Sequence, residues 1–397
     1  MSSLCLTAFT MTSALGAGLD ATRLALRSRR SGLRPGPWRD VALQTCIGEV
    51  DGLDQMALSA NLAAYDSRNN RLAQLALAQD GFSDHVQRAI TRYGQQRIGV
   101  FLGTSTSAIL SSELAYRQRD PHSGALPEGT PYQTTHNMYS VADFVRRRLG
   151  LQGPACVVST ACSSSAKVFG MARRMMSAGL IDAALVGGVD SLCYTTLYGF
   201  HSLQLLSGQP SRPFDVERDG ISIGEGAAFA LLERESLAQA GDVLLTGVGE
   251  SSDAHHMSAP HPQGLGAQLA MQKALTMAGL QADQIDYINL HGTSTPGNDS
   301  AEDKAVCALF GQQTVCSSTK GHTGHTLGAA GAIEAVVCAL ALQDGFAPGG
   351  VGTQVLDPAL HCNYLLTNLD QPMQHVLSNS FGFGGSNCSL VFSLKSV

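Results

Sequence analysis

Short apolar runs bounded by small or polar residues alternate along this chain with longer stretches whose apolar residues recur every three to four positions. The first pattern fits strands buried on both faces, and the second fits helices. Residues 98–102 (IGVFL), 155–158 (ACVV), 183–186 (AALV), 227–232 (AAFALL), 285–290 (IDYINL) and 315–318 (VCSS) read as strands, 244–248 begins another run, and 376–380 and 387–393 read as two closing strands. Residues 137–149, 166–175, 267–280, 298–310 and 328–342 carry helical spacing. Residues 53–77 also read as helix, interrupted at Ser67-Arg68-Asn69-Asn70. The N-terminus lacks the basic region of a secretory leader and reads as a first strand, a turn at Thr12-Ser13 and a helix with Arg23, Arg27, Arg29 and Arg30. Residues 118–136, with three Pro and two Gly, read as a surface excursion.

The order of elements repeats. The strand 98–102 runs into Gly103-Thr104-Ser105-Thr106, and the strand 285–290 runs through His291 into Gly292-Thr293-Ser294-Thr295. Each is followed by a helix, a strand ending in Ser-Thr (Ser159-Thr160, Ser318-Thr319) and a helix rich in Gly, Ala and Ser. Strands alternating with helices predict an α/β protein, and the echo predicts two similar halves packed around shared buried helices.

Composition narrows this picture. The chain has 397 residues, 44% hydrophobic and 15% charged, with 43 Gly, which suits a large α/β core with many tight turns. A net charge of −6 offers no basic field for nucleic acid. Ten Cys without paired C-x-x-C spacing point to reduced thiols and a cytoplasmic location. No apolar run is read as reaching the roughly 18 residues of a membrane span.

The chemistry gathers at junctions between strands and helices. Cys162 lies in Ser159-Thr160-Ala161-Cys162-Ser163-Ser164-Ser165, between a strand and a helix start. Unpaired N–H groups there favour a thiolate, so the position predicts a lowered thiol pKa, against the plainer alternative of a buried, inert cysteine. His291 ends a strand, and His325 sits in Lys320-Gly321-His322-Thr323-Gly324-His325 at the mouth of a helix, with His322 as its local rival. Such junctions converge on one crevice beyond the strand ends, and a Cys with two His suits acyl transfer through a thioester. Phe381-Gly382-Phe383-Gly384-Gly385 offers backbone N–H groups that can pair with that of Cys162 as an oxyanion hole. His255, His256 and His261 match no metal-site spacing, and no metal is expected.

STACSSS, HGTSTPGND, TKGHTGHTLGAAGAIEA and NSFGFGG, in this order, resemble the elongating β-ketoacyl-ACP synthases almost from end to end. The resemblance implies a thiolase fold of two pseudo-symmetric halves in a five-layered αβαβα arrangement. The halves would be 1–242, with the nucleophile and an excursion near 107–150, and 243–397, with both histidines. It implies decarboxylative Claisen condensation of an acyl-ACP with malonyl-ACP, with Cys162 as nucleophile and His291 and His325 assisting decarboxylation. Lys320 would order the site with Glu334. The N–H groups of Cys162 and Phe383 would form the oxyanion hole, and the Phe383 ring would gate the acyl pocket. Thr293, Thr295 and Ser258 would meet the phosphopantetheine arm carried by acyl carrier protein, with no cofactor bound by the enzyme itself. Phe200, Phe381 and Thr106 would complete the substrate pocket, Thr106 turning a hydroxyl toward the acyl chain. The partners implied are acyl carrier protein, with Arg68 and Arg71 as docking charges, and a second subunit, either a copy or a homologue resembling a chain-length factor.

SRNN, GTSTS and GESSDAHHMSAPHPQG further resemble ketosynthases of aryl-polyene clusters. General fatty-acid elongation, a non-catalytic chain-length-factor-like subunit, a thiolase or starter-unit enzyme and a Cys hydrolase are the alternatives. Two histidines beside the cysteine favour the elongating class.

Overall fold

Eleven segments of this chain settle into one sheet path because their apolar runs are bounded by residues that turn. The computed structural model describes residues 3–396. In chain order the strands are β1 (Leu4–Ser13), β2 (Ile98–Gly103), β3 (Ala155–Val158), β4 (Ala183–Asp190), β5 (Gly226–Arg234), β6 (Val243–Ser252), β7 (Tyr287–Asn289), β8 (Val315–Ser317), β9 (Asn363–Tyr364), β10 (His375–Gly382) and β11 (Ser386–Leu394). They pair in the order β9-β8-β7-β10-β11-β6-β1-β5-β4-β2-β3.

Both ends of that path follow one plan. β2 is parallel to β3 and β4, β4 is antiparallel to β5, and β5 to β1. β7 is parallel to β8 and β10, β10 is antiparallel to β11, and β11 to β6. The pseudo-symmetric halves meet where β1 pairs β6 at Leu4↔Leu245 and Cys5↔Leu244. β2 and β4 are buried along their whole length, as strands covered on both faces must be.

Helices complete five layers. α1 (Arg68–Leu77), α2 (Phe82–Tyr93) and α3 (Ser140–Leu149) cover the outer face of the first half, sharing one apolar cluster with β2, β4 and β5. α4 (Ser164–Ser177) and α7 (Ala330–Asp344) lie between the two halves, in a cluster that draws on β1, β4, β5, β6, β10 and β11. α5 (Leu265–Ala278) and α6 (Pro296–Phe310) cover the second half. α7 is buried from Ala330 to Leu342, which explains its apolar character all round. The segment Leu327–Asp344 does reach 18 residues at membrane-like hydropathy, contrary to the sequence expectation, but 89% of it is buried inside the protein.

Other departures have local causes. Residues 53–65 form only 3-10 turns, Leu53–Gln55 and Ala60–Tyr65. The supposed interruption at 67–70 is the start of α1, with the Ser67 side chain accepting from the Asn70 N–H as N-cap. α2 was not anticipated. β3 is half-buried rather than buried, because it forms the edge of the sheet. Arg68 is not a free docking charge: it is buried and paired with Glu225 at 2.6 Å, Asp54 at 3.0 Å and Glu49 at 3.1 Å. Arg71 is engaged by Asp66 at 2.6 Å.

Candidate active site

Strand β3 runs out at Val158, and the chain reverses through five small residues before α4 begins at Ser164. Ala161 takes the left-handed conformation, φ 52°, and the turn is tied by Ser164 Oγ, which accepts from the Thr160 N–H at 2.9 Å and donates to the Ala161 carbonyl at 2.5 Å. Cys162 follows at the head of the turn and is 5% exposed.

The second half delivers the histidines. His325 Nε2 lies 2.9 Å from Cys162 Sγ. The His291 ring stands edge-on to that of His325 with centroids 5.4 Å apart, and Phe381 packs 6.0 Å from His291 on another side. Potential ligand atoms of Cys162, His291 and His325 all fall within 4.8 Å of one another. Lys320 Nζ donates to the His291 carbonyl at 2.5 Å, stands 3.3 Å from His291 Nδ1, and forms a buried ion pair with Glu334. His322 is turned away, its ring between the carbonyls of Arg30 at 3.0 Å and Gly349 at 3.3 Å. Of the two rivals, His325 and not His322 faces the sulfur. The His255 and His261 rings meet edge-on with centroids 5.1 Å apart, on the loop before α5.

Burial sets the electrostatics. It pushes the Cys162 thiol up to about 11, although Lys320 and the N–H groups of Phe383 and Cys162 itself pull the other way. The expected lowered pKa is therefore corrected: the helix-start N–H groups are present, but desolvation of the sulfur outweighs them. Burial, then Lys320, holds both His291 and His325 well below the usual histidine range. The resting pair is thus a neutral thiol against a neutral imidazole, an arrangement that can pass a proton from sulfur to Nε2. Burial raises the Glu334 carboxyl to about 7 against the lowering effect of Lys320.

A cleft of about 210 Å³ opens onto the sulfur, lined by Phe200, Phe381, Phe383, Thr293, Thr295 and Ser258 among others. The Phe200 and Phe383 rings lie 5.7 Å apart. Thr293 and Thr295 hydroxyls are 2.9 Å apart, and Thr295 also caps α6 by accepting from the Asn298 N–H. Thr106 does not line this cleft. It is fully buried and donates its hydroxyl to Asp190 at 2.7 Å, so the expectation of a bare hydroxyl in the acyl wall is corrected. Leu205 and Ile221, which do line it, were not anticipated. Nor was Glu302, buried on α6, which accepts from the N–H groups of His291 at 2.8 Å and Gly292 at 2.7 Å. Its signal was an acid among Ala301, Ala305 and Val306 on a helix that also buries Asp299 and Asp303.

Comparison with known proteins places these features in context. The family model described as Beta-ketoacyl synthase, N-terminal domain, matches residues 1–238, and that of the Beta-ketoacyl synthase, C-terminal domain, matches 243–354. A 3-oxoacyl-[acyl-carrier-protein] synthase 2 of Synechocystis is 32% identical over 391 residues, covering 92% of each chain. A mitochondrial 3-oxoacyl-[acyl-carrier-protein] synthase of Arabidopsis thaliana is 40% identical over 268 residues, which span 63% of this chain and 58% of that one, less than two thirds of its length. Among solved structures, the ketosynthase ApeO of Xenorhabdus doucetiae, in complex with its chain length factor ApeC, superposes with a TM-score of 0.89 at 40% identity, over 99% of this chain and 98% of that one.

Proposed function

Since the chain belongs to the β-ketoacyl synthase family and has its thiolase fold, we propose that it condenses an acyl-ACP with malonyl-ACP through Cys162. The observation that carries this reading is Cys162 Sγ at 2.9 Å from His325 Nε2, with His291 and the Lys320–Glu334 pair behind it. Cys162 sulfur attacks the acyl thioester as its proton passes to His325, and the ACP thiol leaves with a proton. Malonyl-ACP then loses CO₂. The resulting enolate attacks the acyl carbonyl and expels the Cys162 thiolate, which takes up a proton. His291 and His325 steady the enolate oxygen by hydrogen bonds. The N–H groups of Cys162 and Phe383, which already face the sulfur, receive the oxyanion. Thr293, Thr295 and Ser258 hold the phosphopantetheine arm in the cleft. Lys320 fixes His291 through its carbonyl and is itself held by Glu334.

Residues 1–242 and 243–397 form the two halves in this reading, which the mirrored strand order supports. The half-exposed edge β3 supports a dimer that continues the sheet into a second subunit. Similarity to ApeO, a ketosynthase in complex with its chain length factor, favours a heterodimer, and together with the SRNN and GESSDAHHM segments it favours a polyene chain as substrate. The phenylalanine pair Phe200–Phe383 suits a flat conjugated chain. Full-length similarity to a 3-oxoacyl-ACP synthase 2 supports general fatty-acid elongation as the second reading. Incubation of the protein, alone and co-expressed with a chain-length-factor homologue, with a panel of polyenoyl- and saturated acyl-ACPs plus malonyl-ACP separates the two. Faster condensation of polyenoyl chains by mass spectrometry is expected; equal or faster saturated chains would return the enzyme to general elongation.

A further inference from the structure

Asp190 closes β4 with its carboxylate fully buried. Its Oδ1 accepts from Thr104 Oγ1 at 2.8 Å, from the N–H groups of Ser105 and Thr106 at 2.8 and 2.7 Å, and from Thr106 Oγ1 at 2.7 Å. Its Oδ2 accepts from the Ala329 N–H at 3.0 Å, four residues beyond His325, and from the Ser105 N–H at 3.1 Å. Ser105 in turn donates its hydroxyl to the carbonyl of Ala161, the residue before Cys162, at 3.3 Å. The contact is tight: a Cβ at Gly328 would stand 2.7 Å from both Asp190 Oδ2 and Ser105 Oγ.

Two segments therefore meet at one carboxylate and a third is tied to it through Ser105, and each bears strain beside it. Ser107, Ala161 and Leu327 are all non-glycine residues in the left-handed region, at φ 44°, 52° and 53°. Such conformations persist only where the surroundings over-determine them, and they collect at functional sites. The Ser107 N–H is tied to Thr104 Oγ1 at 2.9 Å, Ala161 to Ser105, and the Leu327 turn to Asp190 through Ala329. In the second half the place of Asp190, the end of β10, is taken by Gly382, beside the cleft. We infer that Asp190 is a positioning residue: by holding the 104–106 turn and the segment after His325 together, it sets the 2.9 Å approach of His325 Nε2 to Cys162 Sγ. This rests on the reading of Cys162 as the nucleophile.

Asp190→Asn preserves the shape. With its one oxygen on the 104–106 turn, the new amide NH₂ faces the Ala329 N–H, donor against donor, and frees the His325 side. The readouts are condensation kinetics per folded site, the pH midpoint of Cys162 alkylation by iodoacetamide, and melting temperature. The expected result is a kcat lower by about tenfold or more with KM for acyl-ACP within about twofold. The alkylation midpoint should also move by about half a unit or more. Unchanged kcat and midpoint per folded site, whatever the melting temperature does, would make Asp190 structural only and overturn the inference. Should Asp190→Asn fail to fold, Ser105→Ala decides, since it removes only the Ala161 tie: slower Cys162 acylation at unchanged KM supports the inference, and the wild-type rate overturns it. Condensation surviving in Cys162→Ala would instead overturn the underlying reading, and this inference with it.

Discussion

Gly382 precedes Phe383, and its backbone packs against the nucleophile turn. A Cβ placed on it would stand 2.8 Å from the Thr160 carbonyl oxygen, 3.1 Å from the Ser386 carbonyl oxygen and 3.3 Å from the Cys162 nitrogen. Real Cβ atoms essentially never come within 3.0 Å and rarely within 3.4 Å, so relief requires about 0.2 Å (3.0 − 2.8) to about 0.6 Å (3.4 − 2.8) of movement. The backbone angles at Gly382, φ −101° and ψ 152°, suit alanine, so the effect of Gly382→Ala is steric and not conformational. The movement falls on the Thr160–Cys162 turn, which carries one N–H assigned to the oxyanion, and on the end of β10 just before Phe383, which carries the other. Loss of one such donor costs about 10²- to 10³-fold in kcat, so a partial displacement should lower kcat by about 10- to 100-fold. Overpacking should remove about 1–3 kcal/mol of stability. Steady-state condensation with acyl-ACP and malonyl-ACP, beside urea unfolding, measures both. A stable variant with kcat within about twofold of wild type would refute the assignment of the oxyanion hole to this pair of N–H groups.

A thiol held at about 11 is about one part in 10⁴ thiolate at pH 7, four units below. Alkylation of Cys162 should therefore rise roughly tenfold per pH unit to about pH 10, and a plateau below pH 8 would contradict the buried neutral thiol. Lys320→Met strips the partner from buried Glu334, which should cost about 3–5 kcal/mol in urea unfolding above pH 7. Because the Glu334 carboxyl is already raised and rises further without lysine, its protonated form is favoured in the fold, so this loss should shrink as pH falls toward 5; a pH-independent loss would be inconsistent. His325→Ala should abolish malonyl decarboxylation, whereas His322→Ala should keep it and lose about 1–3 kcal/mol of stability, since the one N–H of the neutral ring serves a buried carbonyl, of Arg30 or Gly349, that is then orphaned. Equal decarboxylation by the two variants would overturn the distinction between them.

The strands and the repeated plan were legible because β2, β4 and the other inner strands are buried on both faces and so read as unbroken apolar runs. Cys162, His291 and His325 were legible because each sits where a strand hands over to a helix, and the fold brings all three together. Long-range polar pairing left no such trace. Arg68 looks like a surface charge in sequence and is buried only because Glu225, 157 positions away, comes to meet it. Thr106 resembles a pocket residue until Asp190, 84 positions on, takes its hydroxyl. Ser67 breaks a helical pattern on paper but starts α1 in space, since a cap and an interruption share one composition. The rise of the Cys162 pKa depends on how completely the second half covers the sulfur, which local sequence does not encode.

The central claim is that the acyl chain rides on Cys162. Cys156 lies on the adjacent strand and is half-buried, which makes it the natural control. Intact-mass measurement after treatment with acyl-ACP, in the absence of malonyl-ACP, should show one added acyl group on the wild-type protein and on Cys156→Ala, and none on Cys162→Ala. Acylation retained in Cys162→Ala and lost in Cys156→Ala would contradict the account.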